Sequence, residues 1–410
     1  MIVNRHFKLW ILVFCMISNA LGAQNTRYID PIFSDVKVST VNYSDVFNDG
    51  YHKMDIYQPD GDTAKARPLL LYIHGGAFYA GDKATQDCID FCTHFAKKGY
   101  VAVSVNYRLA NALLFLLNND VQLESVLKSI ADVKSAIRFF GKDAKSTNTY
   151  KIDTNLVFIG GYSAGAVSAL HTAWVDAVSE LDSEVAGILK NSIKTLDGDA
   201  GNVGYACNIK AVYSLAGALY KTSYASQGDQ PVWMGHAVDD GTVNYNCAPA
   251  LNNPMVLTLC GTGKITPRLD TVGVEYDTMV LQTGGHGWPG LANTGKDFVN
   301  AVAEIADFFY PMLTAKPANG IKTPSKRNQL RIYPNPSAVG AITVSASTAT
   351  ISSVSVYDMS GRLILVKTAD TPNQTSVLVS VDNLPSSLYR VVVAFSAGET
   401  ISDNLLIQNK

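Results

Sequence analysis

The sequence predicts an α/β protein with a mostly parallel central sheet flanked by helices, followed by a small all-β sandwich domain. Through most of the chain, short apolar runs alternate with longer stretches whose apolar residues recur at helical spacing. Towards the C-terminus only short alternating runs remain, separated by turn-like residues. The chain has 410 residues. It is therefore long enough for two domains, because single cores rarely grow beyond about 250–300 residues.

Several predicted strands are continuous apolar runs, as expected where both faces of a parallel sheet are buried. The strand candidates are Leu69–Ile73, Tyr100–Val105, Leu156–Ile159, Lys210–Leu215, Val232–Gly235 and Glu275–Leu281. Amphipathic stretches such as Leu123–Phe140 lie between them, and Lys296–Met312 is the last predicted helix. Strand, helix and strand in repetition predict a mostly parallel sheet wrapped by helices.

The first 23 residues have the layout of a cleaved secretory signal peptide. Arg5 and Lys8 supply a basic start, Leu9–Ile17 is an almost unbroken apolar run, and small residues at Gly22 and Ala23 suit a cleavage site. The apolar run is much shorter than the roughly 20 residues that a spanning helix needs. We therefore expect export, without stable insertion into a membrane.

Composition and charge favour neutral substrates. The chain is 47% hydrophobic and 17% charged, and its formal net charge is −2. No block of Lys and Arg is present, so a nucleic-acid partner is not expected.

Five cysteines lie outside the predicted signal peptide, an odd number that leaves at least one thiol free unless it pairs between chains. Cys247 and Cys260 could close a short loop. Cys88 and Cys92, one helical turn apart, could also pair. A zinc site at these two cysteines has less support, because no His or second Cys pair lies at ligand spacing.

The organisation predicted for the rest of the chain is a catalytic domain over residues 24–313, a linker over 314–328 and a β-sandwich over 329–410. The linker is rich in Pro, Lys, Ala, Asn and Thr. The strand candidates that follow it are Ala341–Ser345, Ser353–Tyr357, Ser376–Val381 and Tyr389–Phe395.

Three motifs in the last 80 or so residues resemble the C-terminal sorting domain of type IX secretion. They are Tyr333-Pro-Asn-Pro336, Val356-Tyr-Asp-Met-Ser-Gly-Arg362 and Leu384-Pro-Ser-Ser-Leu-Tyr389. Ser387 stands where that family usually has Gly. The resemblance implies the type IX secretion machinery as a partner and a secreted or cell-surface location. The alternative is a carbohydrate-binding β-sandwich.

The segment Gly161-Tyr-Ser-Ala-Gly165 suits a serine held at a sharp strand-to-helix turn. The strand candidate Leu156–Ile159 precedes it, and Ala164–Ala173 has the composition of a helix. Ser163 is therefore the candidate nucleophile. A serine hydroxyl needs a base to accept its proton, and elimination among the seven histidines leaves His236 and His286.

Adjacent glycines follow the strand candidate Leu69–Ile73, in His74-Gly-Gly-Ala-Phe78. Without side chains, the backbone N–H groups of Gly75 and Gly76 can point towards one spot. Together with the N–H of Ala164 they would form an oxyanion hole. The simpler interpretation is a Gly-Gly turn between strand and helix.

These motifs, together with Asn106-Tyr-Arg108 and Gly285-His-Gly287, resemble the carboxylesterase and hormone-sensitive-lipase-like branch of the α/β-hydrolases, including feruloyl esterases, over roughly residues 35–312. The resemblance implies the α/β-hydrolase fold and an acyl-enzyme on Ser163. It implies no metal and no organic cofactor.

The family order of serine, acid and histidine selects His286 as the base. His236 to Val243 resembles the HGxxDxxV segment of esterases, which assigns the acid to Asp240 and leaves Asp239 as a solvated neighbour. Tyr162 and Trp288 are candidate substrate contacts.

The predicted function is that of a secreted serine hydrolase cleaving carboxylic esters, on a small molecule or a polymer. Acetyl or feruloyl esters of plant glycans are the first expectation. Lipid esters, polyesters and a serine peptidase of the prolyl-oligopeptidase kind are alternatives, and an inactive binding protein on a hydrolase scaffold is a further one.

Overall fold

The computed structural model describes residues 26–289, 295–314, 330–335, 337, 340–346, 350–358, 362–371, 374–396 and 400–407. The chain divides into two compact units, residues 1–318 and 319–410. The predicted signal peptide, residues 1–23, lies outside the described residues. So does the predicted linker except for Thr314.

The first unit is built on a large sheet. Its strands are β1 (Val36–Asn42), β2 (Lys53–Pro59), β3 (Arg67–Ile73), β4 (Val101–Val105), β5 (Ile152–Tyr162), β6 (Ala211–Leu215), β8 (Val232–Ala237) and β11 (Tyr276–Leu281). Their order across the sheet is β1-β2-β4-β3-β5-β6-β8-β11. The pairs β1–β2 and β2–β4 are antiparallel, and the pairs from β4 to β11 are parallel. The predicted mostly parallel sheet is confirmed.

The register brings the carboxyl ends of the parallel strands to one edge. Ile73 is paired with Gly161, and Tyr162 with Leu215. Leu215 is paired in turn with Gly235. Loops that follow these strands therefore start close together, at the edge where open α/β sheets bind ligands.

Helices cover both faces of this sheet. They are α1 (Gln86–Lys97), α2 (Ala112–Leu117), α3 (Asn119–Lys145), α4 (Ala164–Trp174), α5 (Ser183–Ser192), α6 (Thr262–Val272) and α7 (Lys296–Thr314). Along β3, Leu69 and Leu71 join one buried cluster, with residues of α3 and α4, whereas Leu70 and Tyr72 join another, with residues of α1 and α7. Burial on both faces explains why β3 is an unbroken apolar run.

A small antiparallel sheet lies beside the large one. It contains β7 (Ala218–Leu219), β9 (Cys247–Pro249) and β10 (Thr258–Gly261), in the order β7-β10-β9. A disulfide joins Cys247 to Cys260, which also face each other in the β9–β10 register. Cys88 and Cys92, which could have paired, are both free and buried.

The second unit has two antiparallel sheets, β12-β13-β16 and β15-β14-β17-β18. The strands are β12 (Leu330–Tyr333), β13 (Ala341–Ala346), β14 (Ile351–Asp358), β15 (Leu363–Thr368), β16 (Ser376–Ser380), β17 (Ser387–Phe395) and β18 (Thr400–Ile407). Buried residues of both sheets, such as Val344 and Val391, belong to one core. This arrangement confirms the predicted all-β C-terminal domain.

Candidate active site

Ser163 lies between the end of β5 and the start of α4, with φ 55° and ψ −121°. A left-handed conformation of this kind costs a residue with a side chain about 1–3 kcal/mol, and such residues cluster at functional sites. The Ser163 N–H donates to the carbonyl oxygen of Leu215 at 2.9 Å, and the Ser163 carbonyl oxygen accepts from Val167 at 3.0 Å. The turn is therefore tied to the next strand and to its own helix.

The flanking glycines of the Ser163 turn are required by close backbone packing. A Cβ atom at Gly161 would lie 2.1 Å from the carbonyl oxygen of Ile73, and one at Gly165 would lie 1.9 Å from the same oxygen. Neither contact can be relieved by moving a flexible side chain, because the neighbour is backbone. The turn can pack on β3 only with glycine at both positions.

The Ser163 and His286 side chains are in hydrogen-bonding contact. The Ser163 Oγ lies 2.8 Å from His286 Nε2. His286 Nδ1 lies 2.7 Å from Asp240 Oδ2, and only an N–H can pair with a carboxylate oxygen. Nδ1 therefore carries the proton, and Nε2 is left to accept the hydroxyl proton of Ser163. The structure thus brings together the three side chains that the sequence predicted as one group.

Asp240 is 1% exposed, and both oxygens of its carboxylate accept hydrogen bonds. Its Oδ1 accepts hydrogen bonds from the backbone N–H groups of Thr242 at 2.8 Å and Val243 at 2.9 Å. Burial raises the pKa of a carboxyl group. At Asp240 hydrogen bonds from His236 and His286 outweigh burial and lower the pKa well below its usual range. Asp240 is therefore ionised at any pH near neutrality.

His236 lies beside Asp240, and its described contacts do not include Ser163. It is fully buried, and its Nε2–H donates to the Val243 carbonyl oxygen at 2.8 Å. The same nitrogen is 3.5 Å from Asp240 Oδ2. Its Nδ1 is 3.1 Å from the hydroxyl oxygen of Thr262. Of the two histidines that elimination left, the structure brings only His286 to the serine.

Asp239 has a role that the sequence analysis missed. Its carboxylate is exposed, as expected for a solvated neighbour, yet it accepts hydrogen bonds from the N–H groups of Gly285 at 2.8 Å and Gly284 at 3.3 Å. Both glycines have positive φ, 148° at Gly284 and 57° at Gly285. Asp239 therefore fixes the start of the loop that carries His286. The adjacent glycines of Gly284-Gly-His286 were the available signal for a loop that needs such support.

Tyr162 and Trp288, the predicted substrate contacts, both pack near His286. The Tyr162 hydroxyl donates to the His286 carbonyl oxygen at 3.0 Å and so holds the backbone of the loop at His286. Trp288 lies against β8, where a Cβ atom at Gly235 would be 2.7 Å from its ring. Their contacts within the chain support the loop, and a contact with substrate stays a prediction.

The predicted oxyanion-hole residues lie in the segments that follow β3 and β5. A Cβ atom at Gly75 would lie 3.3 Å from the Cβ of Ser163, so the Gly75 backbone is close to the nucleophile. Gly76 has φ +115°, and a Cβ there would be 2.1 Å from the carbonyl oxygen of Ala80. Ala164 is the first residue of α4, where helical N–H groups lack partners in the helix. That their three N–H groups stabilise an oxyanion stays a prediction.

The part of the chain that the structure describes contains no group of three or more His, Cys, Asp or Glu side chains placed to hold a metal ion. Among the described helices, none combines the length and apolar character that crossing a bilayer requires.

Two family models match separate parts of the chain. Residues 54–200 match the BD-FAE family, and residues 331–408 match the secretion system C-terminal sorting domain. The first match includes Ser163 and the Gly75–Gly76 pair. Asp240 and His286 lie beyond it.

The chain also resembles two curated proteins over a short segment. It is 36% identical over 108 residues to Secreted lipase 4 of Gibberella zeae and 33% identical over 110 residues to Gut esterase 1 of Caenorhabditis elegans. Each alignment covers 26% of this chain and 18% of the relative. The chain thus spans under a fifth of the length of these relatives.

Solved structures share the fold of the first unit. A truncated carbohydrate esterase from gut microbiota has a TM-score of 0.52 at 18% identity, covering 70% of this chain and 99% of that chain. Thermogutta terrifontis esterase 2 phosphoramylated by tabun has a TM-score of 0.50 at 16% identity, covering 70% and 98%. The first unit therefore has the α/β-hydrolase fold and contains a segment that matches the BD-FAE family, and residues 331–408 match the secretion system C-terminal sorting domain.

Proposed function

We propose that this chain hydrolyses carboxylic esters through an acyl-enzyme on Ser163. The observation that carries the proposal is the hydrogen-bonded series Asp240, His286 and Ser163, with paired atoms 2.7 Å and 2.8 Å apart. In this arrangement the buried carboxylate holds the imidazole in one tautomer, and the imidazole accepts the proton of the serine hydroxyl. These two contacts activate the serine.

In the first step the Ser163 oxygen attacks the ester carbonyl carbon, and its proton moves to His286 Nε2. The carbonyl oxygen becomes an oxyanion, which the N–H groups of Gly75, Gly76 and Ala164 stabilise. As the tetrahedral intermediate collapses, the bond to the alcohol oxygen breaks. The alcohol leaves with the proton from His286, and the acyl group remains on Ser163.

In the second step water replaces the alcohol. His286 accepts a proton from the water while the water oxygen attacks the acyl carbon. Collapse of the second intermediate breaks the bond to Ser163, which regains a proton from His286, and the carboxylic acid leaves. Asp240 stays ionised throughout and stabilises the imidazolium that forms twice in the cycle.

The match at residues 331–408 supports export by type IX secretion to the cell surface or beyond. Secretion suits esters found outside the cell, and acetyl or feruloyl esters of plant glycans stay a prediction. One structural neighbour carries the name of a carbohydrate esterase. Acetylated xylan and methyl ferulate are the substrates that test this expectation.

The test compares the mature protein with Ser163→Ala on p-nitrophenyl acetate, butyrate and octanoate. We expect the substitution to lower kcat/KM by roughly 10⁴-fold or more. Ser168→Ala is the matched control, because Ser168 lies on the same helix and its hydroxyl pairs with Ser129 at 2.8 Å instead of with His286. A fluorophosphonate probe should label Ser163 in the wild-type chain, as peptide mass spectrometry would record.

Ester hydrolysis that is equal in the wild type and in Ser163→Ala would contradict the proposal. Cleavage of a prolyl p-nitroanilide by a chain that leaves all esters intact would favour the peptidase alternative. A folded protein that reacts with neither substrate class nor the probe would favour the binding role.

A further inference from the structure

A disulfide joins the two segments of chain that lie around Asp240. The first, here called the acid segment, is residues 240–247 and ends at Cys247, the first residue of β9. The second, here called the β10–α6 junction, is residues 260–263. It starts at Cys260 and includes Thr262, the first residue of α6. Because Cys247 is bonded to Cys260, the two segments are joined covalently.

The acid segment holds one side of the Asp240 carboxylate and is bonded to the junction. One oxygen of Asp240 accepts hydrogen bonds from two backbone N–H groups of this segment. Further along, the Asn246 carbonyl oxygen accepts from the Gly261 N–H at 2.6 Å. The Tyr245 carbonyl oxygen accepts from the Gly263 N–H at 2.8 Å. The backbone that leads from Asp240 to the disulfide therefore depends on where the junction lies.

The β10–α6 junction also reaches the carboxylate through His236. The Thr262 hydroxyl oxygen lies 3.1 Å from His236 Nδ1. On the other side of the ring, His236 Nε2 is 2.8 Å from the Val243 carbonyl oxygen and 3.5 Å from Asp240 Oδ2. A Cβ atom at Gly261 would lie 2.8 Å from His236 Cε1, so the junction packs directly on the ring. Movement of the junction would therefore move the ring that lies beside Asp240.

The strand that carries Cys247 is poorly held by its own pairing. β9 has three residues and lies at the edge of its sheet, next to β10. Cys247 and Pro249 are exposed, and Pro249 has no backbone N–H to donate to the ladder. So short and exposed a pairing contributes little stability by itself. The disulfide is therefore the firmest connection between the acid segment and the junction.

We propose that the disulfide between Cys247 and Cys260 positions Asp240, and that Thr262 and His236 are positioning residues between them. The inference rests on the proposed function and deepens it. Asp240 lies 2.7 Å from the imidazole nitrogen that it orients, and a contact of this length tolerates little displacement. The disulfide therefore sets the rate of ester hydrolysis as well as the stability of the hairpin. A chain in which both cysteines stay as thiols is a slower esterase.

The first test measures kcat and KM for p-nitrophenyl butyrate in the double variant Cys247→Ser with Cys260→Ser. Conditions are chosen so that circular dichroism shows the wild type and every variant to be folded. We expect kcat to fall by about tenfold, because the imidazole is aligned with the serine less often, and KM to stay within about twofold. Cys207→Ser is the matched control, because it removes a free thiol, and it should keep both constants.

A double-mutant cycle separates positioning of Asp240 from a general loss of structure. Asp240→Ala leaves no carboxylate to position, so removing the disulfide from this variant should change the rate by less than about twofold. The rate at which a fluorophosphonate probe labels Ser163 can be followed in both backgrounds, even where turnover is slow. A disulfide that only stiffens the fold would lower the rate by the same factor in each. Asp240→Asn serves if the smaller side chain does not allow folding.

A third variant tests the connection through His236. Thr262→Val removes the hydroxyl that faces His236 and should lower kcat by about threefold, the worth of one ordinary hydrogen bond. Thr262→Ser keeps a hydroxyl and should recover the wild-type kcat. Thr266→Val is the matched control, because the Thr266 hydroxyl lies on the same helix and donates to the Thr262 carbonyl oxygen at 3.1 Å. Its kcat should stay that of the wild type.

Two results would overturn the inference. One is a folded double cysteine variant with the kcat of the wild type, and the other is an equal loss of rate with and without the Asp240 carboxylate. A wild-type kcat in Thr262→Val would overturn the role given to Thr262 and His236. Each would leave the proposed function standing as long as ester hydrolysis depends on Ser163. A wild-type chain without activity on any ester would instead remove the proposed function itself.

Discussion

Asp239 and Asp240 are adjacent in sequence, yet their carboxylates bind different parts of the loop that ends in His286. Asp240 binds the imidazole ring, and Asp239 binds the backbone at Gly284 and Gly285. Tyr162 adds a third point, at the His286 carbonyl oxygen. The imidazole is therefore fixed through its ring and its backbone, which limits its movement relative to Ser163.

We expect Asp239→Ala to lower kcat by about tenfold, because a loosened loop places His286 less often within reach of the serine. The KM for p-nitrophenyl butyrate should change much less than kcat, since Asp239 faces the loop backbone. Steady-state kinetics separate the two constants. Asp239→Asn keeps an acceptor oxygen and should recover most of the loss. A kcat in Asp239→Ala equal to that of the wild type would show that His286 keeps its position without the hydrogen bonds to Asp239.

His171 links stability to pH. Its pKa is about 4 in the folded chain, because burial disfavours the charged ring, against about 6.5 when unfolded. The folded state is therefore the weaker proton binder. Stability from this group is complete above pH 6.5 and is lost as the pH falls towards 4, by about 3 kcal/mol in all.

Urea unfolding of the wild type and of His171→Gln over this pH range measures the effect. The variant should be the less stable protein at pH 7, and its deficit should shrink as the pH falls, since only the wild type takes up the proton. Comparing two chains cancels the titration of their other groups. Parallel profiles would contradict the expected linkage.

The candidate site was predictable where chemistry fixes both residue type and order. Ser163 stands in a motif whose two glycines are required because the Ile73 carbonyl oxygen lies against them. His286 was selected by the order of serine, acid and histidine in the family that the sequence resembles. The support from Asp239 was not predictable, because it depends on the path of a loop and not on residue type. For the same reason the sequence did not predict that His236 would lie beside Asp240.

At the scale of elements, the strands predicted best were those buried on both faces. The run Leu69–Ile73 coincides with most of β3, since every residue of that strand is buried. β1 and β2 were not among the strand candidates. β1 is mostly exposed, so it lacks the apolar run that identifies a central strand. Its position in the sheet comes from antiparallel pairing with β2.

A disulfide closes the β9–β10 hairpin. Cys247 and Cys260 are 13 residues apart, and on the chain-entropy model a loop of this size contributes about 3 kcal/mol. We expect Cys247→Ser with Cys260→Ser to lower the free energy of unfolding by about this amount, as urea titration would measure. Cys207→Ser is the control, because Cys207 is a free thiol. Equal stability of the double variant and the control would mean that packing alone holds the hairpin.

The whole molecule has two units, residues 1–318 and 319–410, and each buried cluster of the described residues lies within one of them. Because no such cluster contains residues of both units, we expect a chain without residues 319–410 to fold and to keep its kcat/KM within about twofold. Calorimetry should record two transitions for the full chain and one for the shortened chain. Loss of activity with an otherwise folded first unit would show that the second unit contributes to catalysis.

The two free thiols of α1 can report how often this helix separates from the sheet. Cys88 and Cys92 are both completely buried, and burial raises the pKa of each thiol, so neither is reactive while the helix is packed on the sheet. A thiol reagent can modify them only when that packing opens. The rate at which Cys88 and Cys92 are labelled, separated from that of the partly exposed Cys207 by peptide mass spectrometry, therefore reports how often this packing opens.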